Sequence, residues 1–156
     1  MSEDIMFSRR PMGMRMAMIV RQWRAVIDDA ILDTGLTQSS WTVMMQLHQL
    51  GDNVSVSELA EVQGIELPPL MRTIAQLELR GYLLRTTSPY DKRIRLLTLT
   101  PEGHAVLRRL NSVIEACQAR VSQNIAPEHL EIFSATLNQF ACNLRTLREE
   151  DNKTEK

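Results

Sequence analysis

Apolar residues recur at three- and four-residue spacing from Met12 to Leu32 (Met16, Ile19, Val20, Trp23, Ile27, Ala30 and Ile31), with no proline in the stretch and no glycine after Gly13. This pattern predicts an amphipathic helix that ends near Gly35. Thr37 is an N-cap for a second helix reaching Leu50, whose Trp41, Met44, Met45 and Leu47 point inward. Gly51-Asp52-Asn53 stops it. Ser55 and Glu58 have the spacing of a capping box and open a short helix, Val56 to Gln63, closed by Gly64. Pro68 and Pro69 can begin a helix but not sit inside one. A fourth helix therefore runs from about Pro68 to Arg80, with Leu70, Ile74 and Leu77 inward and Gly81 at its C-terminal cap.

From Tyr82 to Thr86 and from Ile94 to Leu99 the chain is strand-like, with the turn residues Ser88-Pro89-Tyr90-Asp91 between, so a hairpin is expected. Thr100-Pro101-Glu102 supplies an N-cap, a first-turn proline and a favourable acid for a long fifth helix to about Asn124. Pro127 starts a sixth, with Ile125 placed to staple over Leu130. Leu130, Phe133, Leu137, Phe140, Leu144 and Leu147 then step alternately by three and four, a coiled-coil-like stripe. Residues from Glu149 onward are expected to fray.

Helix, short helix, glycine turn, second helix and hairpin is the order of a winged helix-turn-helix. The expected fold is mainly α with a small β-hairpin wing. Residues 36–100 form the winged helix-turn-helix, residues 1–35 and 101–150 form flanking dimerisation helices, and residues 151–156 form a flexible tail. The flanking helices each keep a full apolar stripe although the central lobe has a core of its own. Three such stripes leave open sides that a second copy would cover, and a twofold homodimer is expected.

With 156 residues, 44% hydrophobic and 24% charged, the chain has the composition of one ordinary folded domain, which excludes a disordered or disulfide-built protein. Its apolar runs are too short for a membrane span or a signal-peptide core, and a cytoplasmic location is expected. The net charge of −1 conceals an uneven distribution. Residues 25–63 carry six acids and no Lys or Arg, whereas residues 64–109 carry eight bases against four acids, giving +4. Fifteen of the 18 bases are Arg, whose planar fork suits phosphates, guanine edges and narrow minor grooves.

In a helix-turn-helix the second helix enters the major groove with its N-terminal residues at the base edges, here Leu67 to Gln76. Within it Leu67, Pro68, Arg72, Thr73 and Gln76 are candidate DNA contacts, and Arg72 is the one cation in its first turns. The hairpin tip offers Asp91-Lys92-Arg93 and can drop an arginine into the adjacent minor groove, where narrow width concentrates negative potential.

Catalysis finds no support. The glycines form no phosphate loop, HExxH and CxxC are absent, and His48, His104 and His129 lie apart without an obvious carboxylate and nucleophile set. No enzyme activity, metal or cofactor is expected. Cys117 and Cys142, 25 positions apart among apolar neighbours, fit neither a zinc nor a redox pattern, and reduced, buried thiols are expected.

These residues resemble the MarR-type winged-helix regulators, a bacterial family, and within it the SlyA-like branch. The likeness rests on RQWRAVID (Arg21 to Asp28), LTQSSW (Leu36 to Trp41), MRTIAQLELRGYLLR (Met71 to Arg85), and DKR followed by LTPEG (Leu99 to Gly103). It implies a homodimer that binds pseudo-palindromic double-stranded DNA, with Arg72 acting from the recognition helix and Arg93 from the wing tip. It implies further that Asp91 braces the wing by pairing with a nearby Arg, and that Thr37 and Ser39 sit where a helix start can touch phosphate. Leu67 and Pro69 depart from the polar residues usual in SlyA-like relatives, and a Leu there can contact thymine methyl groups. Relatives often bind aromatic carboxylates in a crevice, and Arg21, Arg24 and Trp41 occupy matching positions. Core packing of Trp41 and Met45, with the arginines exposed or in salt bridges, is the reading the spacing favours. The competing functional class is a winged-helix protein-interaction module without DNA specificity.

Overall fold

The computed structural model describes residues 3–154, with side chains over 6–151. Seven α-helices and three strands follow one another among these residues. They are α1 (Glu3–Ser8), α2 (Met12–Ala30), α3 (Gln38–Leu50), β1 (Val54–Ser55), α4 (Val56–Gln63), α5 (Leu67–Leu79), β2 (Leu83–Thr87), β3 (Arg95–Leu99), α6 (Pro101–Val121) and α7 (Pro127–Thr154). One compact unit ends at Cys117 and a second begins at Gln118.

The helix ends follow local chemistry. The Thr37 hydroxyl accepts the Ser40 N–H at the start of α3, and Ser55 accepts the Glu58 N–H at the start of α4. Gly64 ends α4 with φ 62°, and the Ile65 N–H returns to the Ala60 carbonyl, the closing bond of a Schellman turn. Only a left-handed residue lets the chain leave α4 and enter α5 so abruptly, which is why glycine stands between the two helices. Below them Leu47, Leu59, Leu70, Ile74, Leu77, Leu83 and Leu97 are buried with Ile27, Met44 and Leu110 in one cluster. This core fixes α5 by one face and leaves the opposite face to solvent.

The sheet has the order β1-β3-β2, antiparallel throughout. The expected hairpin is β2 and β3, in register from Leu83↔Leu99 to Thr87↔Arg95. The two-residue β1 is an addition to the sequence reading. Val54 and Ser55 pair with Leu97 and Leu96, too short a segment to show alternation, and it forms because β3 offers its open edge. The wing root is thereby hydrogen-bonded to the residue that caps α4.

Some boundaries shift. An extra helix, α1, precedes Met12, and a 3-10 turn, Leu32–Thr34, separates α2 from Gly35. The fifth predicted helix stops at Val121 rather than Asn124, with Asn124 at φ 64°. The last helix does not end near Leu147 but continues to Thr154, since Arg148 to Lys153 contain no proline or glycine to stop it, so residues 151–154 of the expected flexible tail are helical. Residues 155 and 156 lie outside the described ones. Cys117 is half-buried, but Cys142 is exposed, against the expectation of two buried thiols: the apolar neighbours in its sequence (Phe140, Leu144) do not enclose it. No helix among the described residues is long and apolar enough to cross a membrane.

Candidate nucleic-acid interface

The second helix of the helix-turn-helix, α5, buries Leu70, Ile74 and Leu77 and turns Pro68, Arg72 and Gln76, on successive turns, toward solvent. Its first turn is unusual. Glu66 makes no side-chain cap, and Pro68 and Pro69 have no N–H, so two of the four free donors of a helix start are missing. A start of this kind offers apolar surface, with Leu67 half-exposed, in place of a phosphate cradle. Thr73 does not share the outward face. It is half-buried, its hydroxyl donates to the Pro69 carbonyl at 3.3 Å, and it lines a crevice beside the helix, because position 73 falls a quarter-turn from 72.

At the wing tip a set of short-range bonds holds the loop between β2 and β3. Ser88 donates its N–H to the Ile94 carbonyl at 3.0 Å, and its hydroxyl accepts the Tyr90 N–H at 3.2 Å. The Asp91 carboxylate accepts the Arg93 N–H at 2.8 Å. Asp91 thus braces the wing as an Asx-type cap on the backbone and not by the guanidinium pairing that the resemblance implied, because the turn brings the amide two residues on within reach first. Arg95 spans the tip from below, donating to the Thr87 hydroxyl at 2.5 Å and to the Lys92 carbonyl at 3.2 Å. The side chains of Lys92 and Arg93 are left exposed.

The structure sorts the cations of the +4 segment. Arg85 pairs with Glu78 at 2.8 Å, Arg109 pairs with Asp33, Arg80 donates to the Thr34 carbonyl at 3.1 Å, and Arg95 is bound within the wing. Among the described residues Arg72, Lys92, Arg93 and Arg108 make no side-chain hydrogen bond or ion pair within the chain. Arg108 lies on α6, outside the helix-turn-helix and the wing. On α5 and the wing tip, Arg72, Lys92 and Arg93 are, among the described residues, the cations still available to an external anion.

Thr37 and Ser39 fare differently. At the start of α3 the Gln38 N–H is taken by the Asp28 carboxylate at 2.6 Å, and the Ser40 N–H by the Thr37 hydroxyl at 3.3 Å. A carboxylate already seated on a helix start repels a second anion, so this terminus is a poor phosphate site. Ser39 is half-buried and faces the crevice instead.

That crevice, about 450 Å³, is lined by Arg24, Ser39, Thr42, Gln63, Ile65 and Thr73, among others. Gln63 is one of the lining residues, and its Nε2 is buried without a hydrogen-bond partner among the described residues. Of the three residues the resemblance offered as a ligand site, only Arg24 reaches it. Arg21 is exposed elsewhere on α2, and Trp41 packs against the core with its indole N–H donated to the Asn111 Oδ1 at 2.7 Å. The indole is committed to α6, the packing role that the spacing favours. Sequence reasoning misses Gln63, Thr42 and Ile65 because no periodicity or motif marks them.

The structure also brings together what the sequence kept apart: the rings of His48 and His104, from α3 and α6, meet edge to face with centroids 5.5 Å apart.

Residues 36–94 match the model of the MarR family. Solved structures are similar over more than four-fifths of the chain. A MarR-family transcriptional regulator from Rhodococcus sp. RHA1 is 22% identical with a TM-score of 0.77, over 83% of this chain and 91% of that one. A mutant MarR from E. coli, solved in complex with operator DNA, is 19% identical with a TM-score of 0.76, over 83% of this chain and 93% of that one. The transcriptional regulator PA3341 is 26% identical with a TM-score of 0.76, over 87% of this chain and 99% of that one. The fold shared with these structures is the winged helix.

Proposed function

We propose that this chain, which carries the MarR-type winged helix over residues 36–94, is a sequence-specific DNA-binding transcriptional regulator of the SlyA-like type that acts as a homodimer. The observation that carries the reading is the sorting of the arginines: on the two elements that a winged helix presents to a duplex, Arg72 and Arg93 have no side-chain partner among the described residues. Pro68, Arg72 and Gln76 face the major groove, with Arg72 toward a guanine edge and Leu67 against thymine methyls, while Arg93 enters the minor groove beside it. The similarity to a regulator solved on operator DNA supports the same partner. Selection of bound duplexes from a random pool tests this directly. The expected product is a pseudo-palindrome whose half-sites are about one helical turn, roughly 34 Å, apart. Recovery of no enriched sequence at low salt would favour a protein-binding winged helix.

Pairing of two chains is supported by apolar surface that a single chain leaves in water. On α7, Phe133, Leu137, Leu144 and Leu147 lie along one stripe and each is at least 40% exposed. On α2, Met12, Met16, Ile19 and Val20 are exposed as well. Burying one Leu side chain contributes about 1.5–3 kcal/mol, and a twofold axis counts it twice. Leu144→Glu is therefore expected to weaken dimerisation by about a hundredfold or more, read as a halved mass in light scattering at micromolar concentration. Its helix content should not change, since Leu144 is 57% exposed in the single chain. A variant that keeps the mass of the parent would remove α7 from the interface.

The crevice supports control by a small aromatic carboxylate. Arg24 supplies a cation, Gln63 a polar side chain on the lining, and Val43, Ile65 and Pro69 an apolar wall. Because Pro69 and Thr73 belong to α5, an occupant there presses on the recognition helix itself. Titration of benzoate into the protein–DNA complex is expected to release DNA from the parent and not from Arg24→Ala. Equal release from both would exclude this site.

A further inference from the structure

We infer that His48 and His104 form a two-imidazole site for a zinc-class divalent transition-metal ion, bridging the last turn of α3 to the first turn of α6. The two residues are 56 positions apart, and their ring centroids lie 5.5 Å from one another at an interplanar angle of 73°. An ion about 2.0–2.1 Å from one nitrogen of each ring sits about 3.2 Å from each centroid, which at a near-tetrahedral angle puts the centroids about 5–5.5 Å apart. The observed separation matches that requirement. The second torsion of a histidine side chain is broad, and the ring centroid lies close to its axis, so the nitrogens can be turned to a common point without changing the spacing.

The surroundings suit an ion that enters from water. His48 is exposed and His104 half-buried, so the site opens to solvent at one side and is supported by the protein at the other. The backbone under His104 is firm. Its N–H donates to the Thr100 carbonyl at 2.9 Å, and the Thr100 hydroxyl is bonded both to the Gly81 carbonyl and to the Gly103 N–H. Imidazole nitrogen is a preferred donor for Zn²⁺, Cu²⁺ and Ni²⁺ and a poor one for Mg²⁺ or Ca²⁺, which sets the class of ion. Among the described residues no group of three or more His, Cys, Asp or Glu could hold a metal ion, so the protein supplies two donors here and any further ligand must come from solvent. An ion held there crosslinks the helix-turn-helix lobe to the start of α6.

The test uses the whole chain. With Zn²⁺ added, the parent is expected to bind one equivalent in calorimetry and to melt several degrees higher, because an ion that binds only the folded state stabilises it by mass action. His48→Gln, at an exposed position that does not threaten folding, is expected to weaken Zn²⁺ binding by at least about tenfold and to abolish the melting shift, while His129→Gln leaves both unchanged. Cu²⁺ as a second probe should show two nitrogen donors by electron paramagnetic resonance in the parent and one in His48→Gln and in His104→Gln. Unchanged Zn²⁺ affinity in His48→Gln, or the same nitrogen count in all three proteins, would overturn the proposal.

Discussion

Gly103→Ala is expected to destabilise the folded chain by about 3 kcal/mol or more, read as a lower midpoint in urea denaturation at unchanged slope. The sign is opposite to helix propensity, which favours alanine over glycine by up to about 1 kcal/mol. The reason is the close approach of α6 to the start of the hairpin. A Cβ at residue 103 would overlap the carbonyl oxygen of Tyr82 and lie 3.0 Å from its carbonyl carbon. That oxygen cannot yield alone, because it accepts the Thr100 N–H at 3.1 Å, in the same junction where the Thr100 hydroxyl donates to the Gly81 carbonyl at 2.7 Å. Relief of the overlap requires α6 and the root of the wing to separate. Gly13 supplies the control: it lies in α2, and a Cβ added there would meet nothing within 4 Å, so Gly13→Ala should leave stability equal or slightly raised. If both variants behave alike, α6 does not pack against Tyr82 as described.

Arg93→Ala and Arg72→Ala should damage DNA binding in two distinguishable ways. Arg93, on the wing and exposed, is expected to act through phosphates and minor-groove potential. Its loss should weaken binding to specific and random duplexes alike and lower the slope of log affinity against log salt by about 1. Arg72, on the outward face of α5, is expected to read a base. Its loss should cost about 1–3 kcal/mol on the preferred site, roughly tenfold to a hundredfold, and far less on random sequence, so that specificity relaxes. Neither side chain makes a hydrogen bond or ion pair among the described residues, so thermal stability should be unaffected and the comparison is clean. An Arg93→Ala protein with unchanged affinity and salt slope would remove the wing from the interface. An Arg72→Ala protein that loses equally on all sequences would turn Arg72 into a phosphate contact.

The bound and unbound states of the cations illustrate where reading the sequence stops. The excess of positive charge over residues 64–109 is visible without coordinates, but Arg85, Arg95 and Arg109 look the same as Arg72 and Arg93 until Glu78, Thr87 and Asp33 are brought alongside the first three. Thr73 groups with Arg72 along the chain because the two are adjacent. Helix geometry turns it toward the crevice. Thr37 and Ser39 stand at a helix start of the kind that suits phosphate, and the cap at Thr37 is real, yet Asp28 from α2 already occupies that start.

The succession and type of the main elements, most of their caps and the buried faces of the helix-turn-helix are written in the chain itself. Thr37, Ser55, Gly64, Gly81 and Thr100 act mainly through bonds that span a few residues, and Leu70, Ile74 and Leu77 announce a buried face by their period, so both kinds of information are local and survive in one dimension. Four features exist only once the chain is folded: the third strand at Val54, the seating of Arg24 and Gln63 around one crevice, the meeting of His48 with His104, and the division of the arginines into paired and free. Each of these depends on groups from distant segments arriving within a few ångströms of one another, a property of packing that no local period or cap records.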